Sequence, residues 1–214
     1  MFQKENELVN KLVLDLQERF GTRYILKELR SGNNIADITF AIDINRKTIL
    51  FDEYLYAYYY FTTIYPSNKV ELSDIHIDNA IYNKFRKFLI ELEELGYIEI
   101  NGSCVKSIKK VDAVTTNLVA IEAKISDWKS GLEQAKRYKQ YADTVYVALS
   151  SEFIKKVDID VFKTYNIGLM SVSNGKLKIP LKPKKEKTVT LDIKYYVADK
   201  FLRQLQYMDL VMQN

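Results

Sequence analysis

LVAIEAKISDWKSGLEQAKRYKQYADTVYVAL, residues 118–149, is the stretch whose reading decides the fold. An apolar run carrying Glu122-Ala123-Lys124 leads into an amphipathic stretch and then a second apolar run, VYVAL, a pattern that predicts strand, helix, strand. Successive side chains of a strand point to opposite faces, so Glu122 and Lys124 share one face while Ile121 and Ala123 take the other. An acid and a base on one face of an apolar strand are costly to bury unless they are paired or employed. The competing interpretation is an exposed edge strand with an i,i+2 ion pair worth little. Val119, Ile121 and the VYVAL run weigh against it, because their apolar character suits the middle of a sheet.

Upstream, Leu8, Val9, Leu12, Val13, Leu16 and Phe20 recur at helical spacing from Glu5 to Phe20, and Gly21 makes a natural stop. Glu5 falls on the apolar face of this helix and Glu7 on the opposite side. Glu5 is either a carboxylate aimed at a functional centre or an end residue favoured by the helix dipole. A strand over Tyr24–Leu29, a turn at Ser31-Gly32-Asn33-Asn34 and an alternating strand over Ile35–Ile42 follow. In the second strand Asp37 shares a face with Thr39 and Ala41, opposite Ile38, Phe40 and Ile42. Glu28 reads as an exposed strand glutamate, with an accessory acid as the alternative.

An E-x-K strand followed by a helix carrying Gln134 and Tyr138, and preceded by an aspartate strand, resembles the PD-(D/E)XK nuclease superfamily. The resemblance implies an α/β fold with a restriction-endonuclease-like core, a mixed sheet flanked by helices. It further implies that Asp37, Glu122 and the backbone carbonyl of Ala123 hold one or two Mg²⁺ or Mn²⁺ ions. Such an ion lowers the pKa of a bound water and polarises the scissile phosphate. Lys124 then orients that water or stabilises the developing charge, Gln134 orients the nucleophile or Lys124, and Glu5 is an extra metal or water ligand. Tyr138 is expected to pack, with a phosphate contact as the alternative. The proline that often precedes the family's aspartate is Ala36 here. Asp112, ten residues before Glu122, competes with Asp37 for the aspartate role. Asp37 is preferred because a helix, a strand and a turn introduce it in the order the fold needs.

With Asp37 in that role, the core is interrupted. Residues 49–65 read as a helix with an aromatic face ended at Pro66-Ser67-Asn68, and residues 72–77 as a short segment holding His76, a packed side chain. A helix capped by Asp78 or Asn79 runs to Gly96, and two strands surround Asn101-Gly102. This order, with the phrase LEELGYIEI, resembles a winged helix-turn-helix. The resemblance implies that Asn83, Lys84, Arg86 and Lys87 contact DNA, although Glu91, Glu93 and Glu94 would repel phosphate farther along the helix. Dimerisation or packing on the core is the other use of such a module. The expected organisation is residues 1–44 for the first part of the core, 45–111 for the winged-helix-like insert and 112–180 for the second part of the core. Residues 181–214 then form a basic, Pro-containing linker (residues 181–187) and a terminal helix over residues 195–212. Between them, Ser151–Tyr165 reads as one helix, Asn166–Val172 as a buried strand and Lys176–Ile179 as another.

The composition, 47% hydrophobic and 28% charged over 214 residues, suits a globular chain with a sizeable core. One cysteine, Cys104, excludes an intramolecular disulfide and a Cys-based zinc site and fits a reducing cytoplasm; one histidine argues against a His-clustered metal centre. No apolar run reaches membrane-span length, and MFQKENE lacks a signal-peptide core, so a cytoplasmic location without membrane contact is expected. The net charge of +4 permits nucleic-acid binding without requiring it. Sixteen tyrosines suggest amphipathic packing, with some free to face a nucleic acid. With no Walker loop, dinucleotide turn or clustered glycines, no nucleotide cofactor is expected. The sequence-level expectation is a Mg²⁺-dependent nuclease acting on DNA, dimeric if one metal site is to cut both strands. Its alternatives are a non-catalytic DNA-binding regulator and a protein-interaction accessory subunit on the same fold.

Overall fold

The computed structural model describes residues 2–67, 69–184 and 190–211. In chain order it contains α1 (Glu5–Phe20), β1 (Ile25–Ser31), β2 (Asn34–Ala41), and α2 (Tyr54–Tyr59) continuing into a π-helical turn (Tyr60–Ile64). Next come β3 (Val70–Glu71), a 3-10 turn (Leu72–Asp74), α3 (Asn79–Glu94), β4 (Ile98–Asn101) and β5 (Cys104–Ser107). The remainder is β6 (Leu118–Lys124), α4 (Trp128–Tyr138), β7 (Thr144–Ser150), a 3-10 turn (Ile154–Lys156), α5 (Ile159–Thr164), β8 (Gly168–Val172), β9 (Lys178–Leu181) and α6 (Leu191–Val211). The chain divides into two compact units. One comprises Met1–Ile44, Thr115–Val189 and Lys200–Asn214, and the other Asn45–Val114 and Thr190–Asp199.

The first unit is mixed α/β. Its six-stranded sheet runs β1-β2-β6-β7-β8-β9 and is flanked by helices. β1, β2 and β6 pair antiparallel, β6, β7 and β8 parallel, and β9 antiparallel at the edge. The β1–β2 hairpin closes at Ser31↔Asn34, and Gly32 takes φ 58°, the left-handed conformation that the first position of a two-residue hairpin loop demands. The helical spacing of α1 becomes one layer of the core. Leu8, Leu12 and Leu16 are fully buried against Ile38, Phe40, Val119, Ile121 and Ala123 of the central strands. By strand alternation Glu122 and Lys124 face the other layer, where α4 lies. Gly131 permits a close approach there, since a Cβ on it would stand 3.1 Å from Lys124 Cγ and from Val147 Cγ1.

Several local expectations need correction. Ser151–Tyr165 is not one helix. A 3-10 turn ends at Lys156, and Asp158 then accepts from the N–H groups of Asp160 and Val161, capping a separate α5. The last strand is Lys178–Leu181, two residues beyond its expected place, with Pro180 tolerated because β9 is an edge. α6 begins at Leu191, ahead of the expected Tyr195. Asn68, the linker residues Lys185, Glu186 and Lys187, and Met212 lie outside the described residues.

The second unit is built on aromatic side chains. Phe51 is fully buried with its ring 5.2 to 6.3 Å from those of Tyr60, Phe61, Phe88 and Tyr195. Tyr60 closes the polar edge of this cluster, donating to Lys109 O and accepting from Val111 N. Many of the tyrosines are therefore used in packing. α3 buries Phe85, Phe88, Leu89 and Leu92 and leaves Asn83, Lys84, Arg86 and Lys87 exposed. A three-stranded sheet, β3-β5-β4, completes the unit. His76, expected to be packed, is exposed, with the Asp74 carbonyl 3.1 Å from its Nδ1.

Candidate active site

The antiparallel register of β2 and β6 runs from Ala41↔Leu118 to Ile38↔Ile121 and stops. One step farther Asp37 would face Glu122. There the aspartate side chain takes over the ladder's work, and its Oδ2 accepts the Ala123 N–H at 2.7 Å. Strand alternation then turns Asp37, Glu122 and Lys124 toward α4. The Lys124 ammonium lies 2.9 Å from Glu122 Oε1 and 3.6 Å from Glu5 Oε2, so the N-terminus of α1 supplies a further carboxylate, itself half-exposed at 51%. The structure thus brings Asp37, Glu122, Lys124 and Glu5 together within the first unit.

Glu122 is 1% exposed, and both of its oxygens are engaged. Oε1 is held by Lys124. Oε2 is bonded by the Tyr138 hydroxyl, which also stands 2.7 Å from Ile35 O. Tyr138, expected to pack or to touch phosphate, instead bonds Glu122, and its place one turn after Gln134 puts it on the face of α4 that meets β6. Gln134 itself donates its amide to Ser130 Oγ at 3.1 Å. Asp112 belongs to the second unit, where its carboxylate accepts from the Tyr97 hydroxyl at 2.9 Å and its carbonyl from Thr48.

The electrostatics are uneven. Burial pushes the Glu122 carboxyl above its usual range despite the opposing hydrogen bonds of Tyr138 and Lys124. Burial likewise raises Asp37. The Ala123 N–H and Lys124 resist that rise, while the charges of Glu5 and Glu28 add to it. Burial pulls Lys124 down, but its hydrogen bond to Glu122 and the surrounding charges of Glu122, Glu5 and Asp37 outweigh that and lift it above its ordinary value. The lysine gains from the pairing and the glutamate loses, because Glu122 gives up more hydration than one ammonium returns. Burial, then Glu122, hold the Tyr138 proton firmly in place.

Among the described residues no three His, Cys, Asp or Glu side chains form a metal-binding group. The carboxylates gathered here, those of Asp37, Glu122 and Glu5, are all hard oxygen donors, and the Lys124 ammonium stands against Glu122 Oε1 as a cation would. A set this sparse fits an ion that retains several waters. Among the described residues no helix is long and apolar enough to cross a membrane.

No family model and no curated protein matches the chain. Among solved structures it is similar to SPO1766, a protein of unknown function from Silicibacter pomeroyi, at 16% identity and a TM-score of 0.36. The match covers 46% of this chain and 64% of that one.

Proposed function

We propose that the chain is a metal-dependent nuclease of the PD-(D/E)XK type that hydrolyses phosphodiester bonds of DNA. The observation that carries this reading is the convergence of Asp37, Glu122 and Lys124 at the end of the β2–β6 ladder, with Asp37 bonded to the backbone between the other two. Asp37, Glu122 and the Ala123 carbonyl would hold Mg²⁺ or Mn²⁺, which when bound supplies Lewis-acid polarisation of the phosphate and a more acidic water. Lys124 contributes a firmly protonated ammonium, suited to steadying charge on phosphate oxygens or orienting the attacking water. Glu5, the more exposed carboxylate, gives that ammonium a second partner 3.6 Å away when it leaves Glu122.

The second unit is proposed to be the winged-helix-like module. The succession α2, 3-10 turn, α3, β4, β5 and the exposure of Asn83, Lys84, Arg86 and Lys87 support its use as a DNA contact or a dimer surface. The acidic second half of α3 still opposes phosphate, although Glu93 is bonded by the Ile100 N–H at 2.6 Å. A second reading, a DNA-binding protein that does not cleave, is favoured by one observation: Glu122 is buried with both oxygens already bonded.

Plasmid nicking by the full chain with Mg²⁺, Mn²⁺ or EDTA, beside Lys124→Ala, Asp37→Asn and Asp112→Asn, tests the proposal. The expected result is metal-dependent nicking lost in the first two variants and kept in Asp112→Asn. Salt-sensitive DNA binding without nicking under any metal would favour the second reading.

A further inference from the structure

The last residue of α4, Tyr138, and Tyr141 in the turn that follows it pack side by side near Glu122. Tyr138 and Tyr141 are 2% and 1% exposed, with ring centroids 6.1 Å apart and planes tilted by 45°. The Tyr138 hydroxyl is taken by Glu122 and Ile35. The Tyr141 hydroxyl is equally buried and has no hydrogen-bond partner among the protein atoms. The ring of Tyr141 thus packs directly beside that of Tyr138, whose hydroxyl bonds Glu122, and burial, and after it the charge of Glu122, raises the pKa of the Tyr141 phenol. Thr39 Oγ1 is in the same condition, fully buried and unpartnered. Thr39 shares a face of β2 with Asp37, and its register partner Ala120 shares a face of β6 with Glu122.

Buried hydroxyls are almost always bonded, to protein or to ordered water. A water is retained in an interior where two to four polar groups surround it. The Glu122 carboxylate and the Thr39 hydroxyl are polar groups of that kind on one face of the sheet, and the Tyr141 hydroxyl belongs to the ring packed beside Tyr138, which bonds Glu122. The two hydroxyls can donate, and the carboxylate can only accept.

We propose that Tyr141 is a positioning residue whose hydroxyl donates to a buried water, which in turn donates to the Glu122 carboxylate. Tyr138 and this water together fix the orientation of the carboxylate and leave Oε1 for Lys124 or a metal ion. The consequence for metal binding rests on the nuclease reading above, but the water itself does not. Groups that orient a ligand in this way commonly change metal affinity by tenfold or more when they are removed.

A crystal structure of the metal-free full chain decides the first part. Density for a water between Tyr141 Oη and the Glu122 carboxylate, lost in Tyr141→Phe, is the expected result; a dry hydroxyl in the wild type overturns the proposal. Calorimetric titration with Mn²⁺ decides the second part. Tyr141→Phe keeps the ring and should leave the melting temperature within a few degrees while weakening Mn²⁺ binding by about tenfold. Undiminished Mn²⁺ affinity in Tyr141→Phe would refute the positioning role. Wild-type protein that binds no Mn²⁺ would count against the nuclease reading, and the water would still stand or fall on the density.

Discussion

Replacing Tyr138 by phenylalanine removes one oxygen from the interior and leaves the ring, so its cost isolates a hydrogen bond to a buried carboxylate. The hydroxyl has one proton and two acceptors, Glu122 Oε2 and Ile35 O. At neutral pH the charged carboxylate takes that proton, and a bond to an ionised group is worth about 1.5–3 kcal/mol. No water-exposed surface compensates Oε2, because Glu122 is 1% exposed. The folding equilibrium should therefore fall by about tenfold or more, at roughly 1.4 kcal/mol per tenfold. Protonation changes the account. The Glu122 carboxyl already titrates above its ordinary 4.5, and deleting a donor that favours its charged form lifts it farther. A raised acid contributes stability that is fully present below its unfolded value and is lost as pH rises through the folded one. Relative to wild type, then, the variant recovers on acidification, and its deficit shrinks toward the roughly 0.5–1.5 kcal/mol of a neutral bond. Trp128 is the sole tryptophan and begins α4, so urea titrations followed by its fluorescence read this unit. A deficit equal at pH 7 and pH 4.5, or none at pH 7, would refute the proton assignment.

The wild-type urea midpoint read at Trp128 should rise as pH falls from 7 toward 5, because the raised carboxyls of Glu122 and Asp37 favour the folded state there. Below about pH 4 it should turn down as lowered groups such as Asp43 are protonated; a midpoint climbing steadily from pH 4.5 to 7 would sink the argument. Gly131→Ala gains about 1 kcal/mol of helix propensity but sets a methyl 3.1 Å from Lys124 Cγ. Stability should thus change by less than about 1 kcal/mol while plasmid nicking falls, and undiminished nicking would mean that α4 yields freely. On α3, Lys84→Ala, Arg86→Ala and Lys87→Ala should each lower the slope of log K against log salt for duplex DNA by about one. Fluorescence anisotropy measures it, and an unchanged slope would remove α3 from the interface.

The sequence carried much of this arrangement because strand alternation is a local property. Placing Glu122 and Lys124 on one face needed only the period of two, and placing Asp37 beside Thr39 needed no more. The role of Tyr138 was hidden because it depends on how near α4 comes to β6, which Gly131 sets through packing rather than through any local pattern. The break between Lys156 and α5 was missed for a different reason. Asp158 competes with helix continuation by capping from its own side chain, and apolar spacing does not register that competition. His76 illustrates the limit of residue-type expectations, since a lone imidazole between apolar neighbours suggests packing and is exposed.

The location of the candidate site follows from how Asp37 sits between its neighbouring strands. On the β1 side the ladder holds Lys27↔Ile38 and Leu29↔Ala36 but lacks the pair between them, Glu28 with Asp37. Glu28 has φ 56°, a left-handed conformation that costs a residue with a side chain about 1–2 kcal/mol and cannot pair as extended strand. On the β6 side pairing ends one residue earlier, at Ile38↔Ile121, and the Asp37 carboxylate rather than a backbone carbonyl accepts the Ala123 N–H. Asp37 thus lies at an interruption of both ladders, and a side-chain oxygen substitutes there for regular sheet bonding. Asparagine at position 37 would keep an acceptor for Ala123 N–H while removing the charge, so Asp37→Asn separates the structural duty of this residue from the electrostatic one. A carboxylate that merely closed the ladder would tolerate that change in function as well as in stability; one that holds a cation beside Glu122 would not.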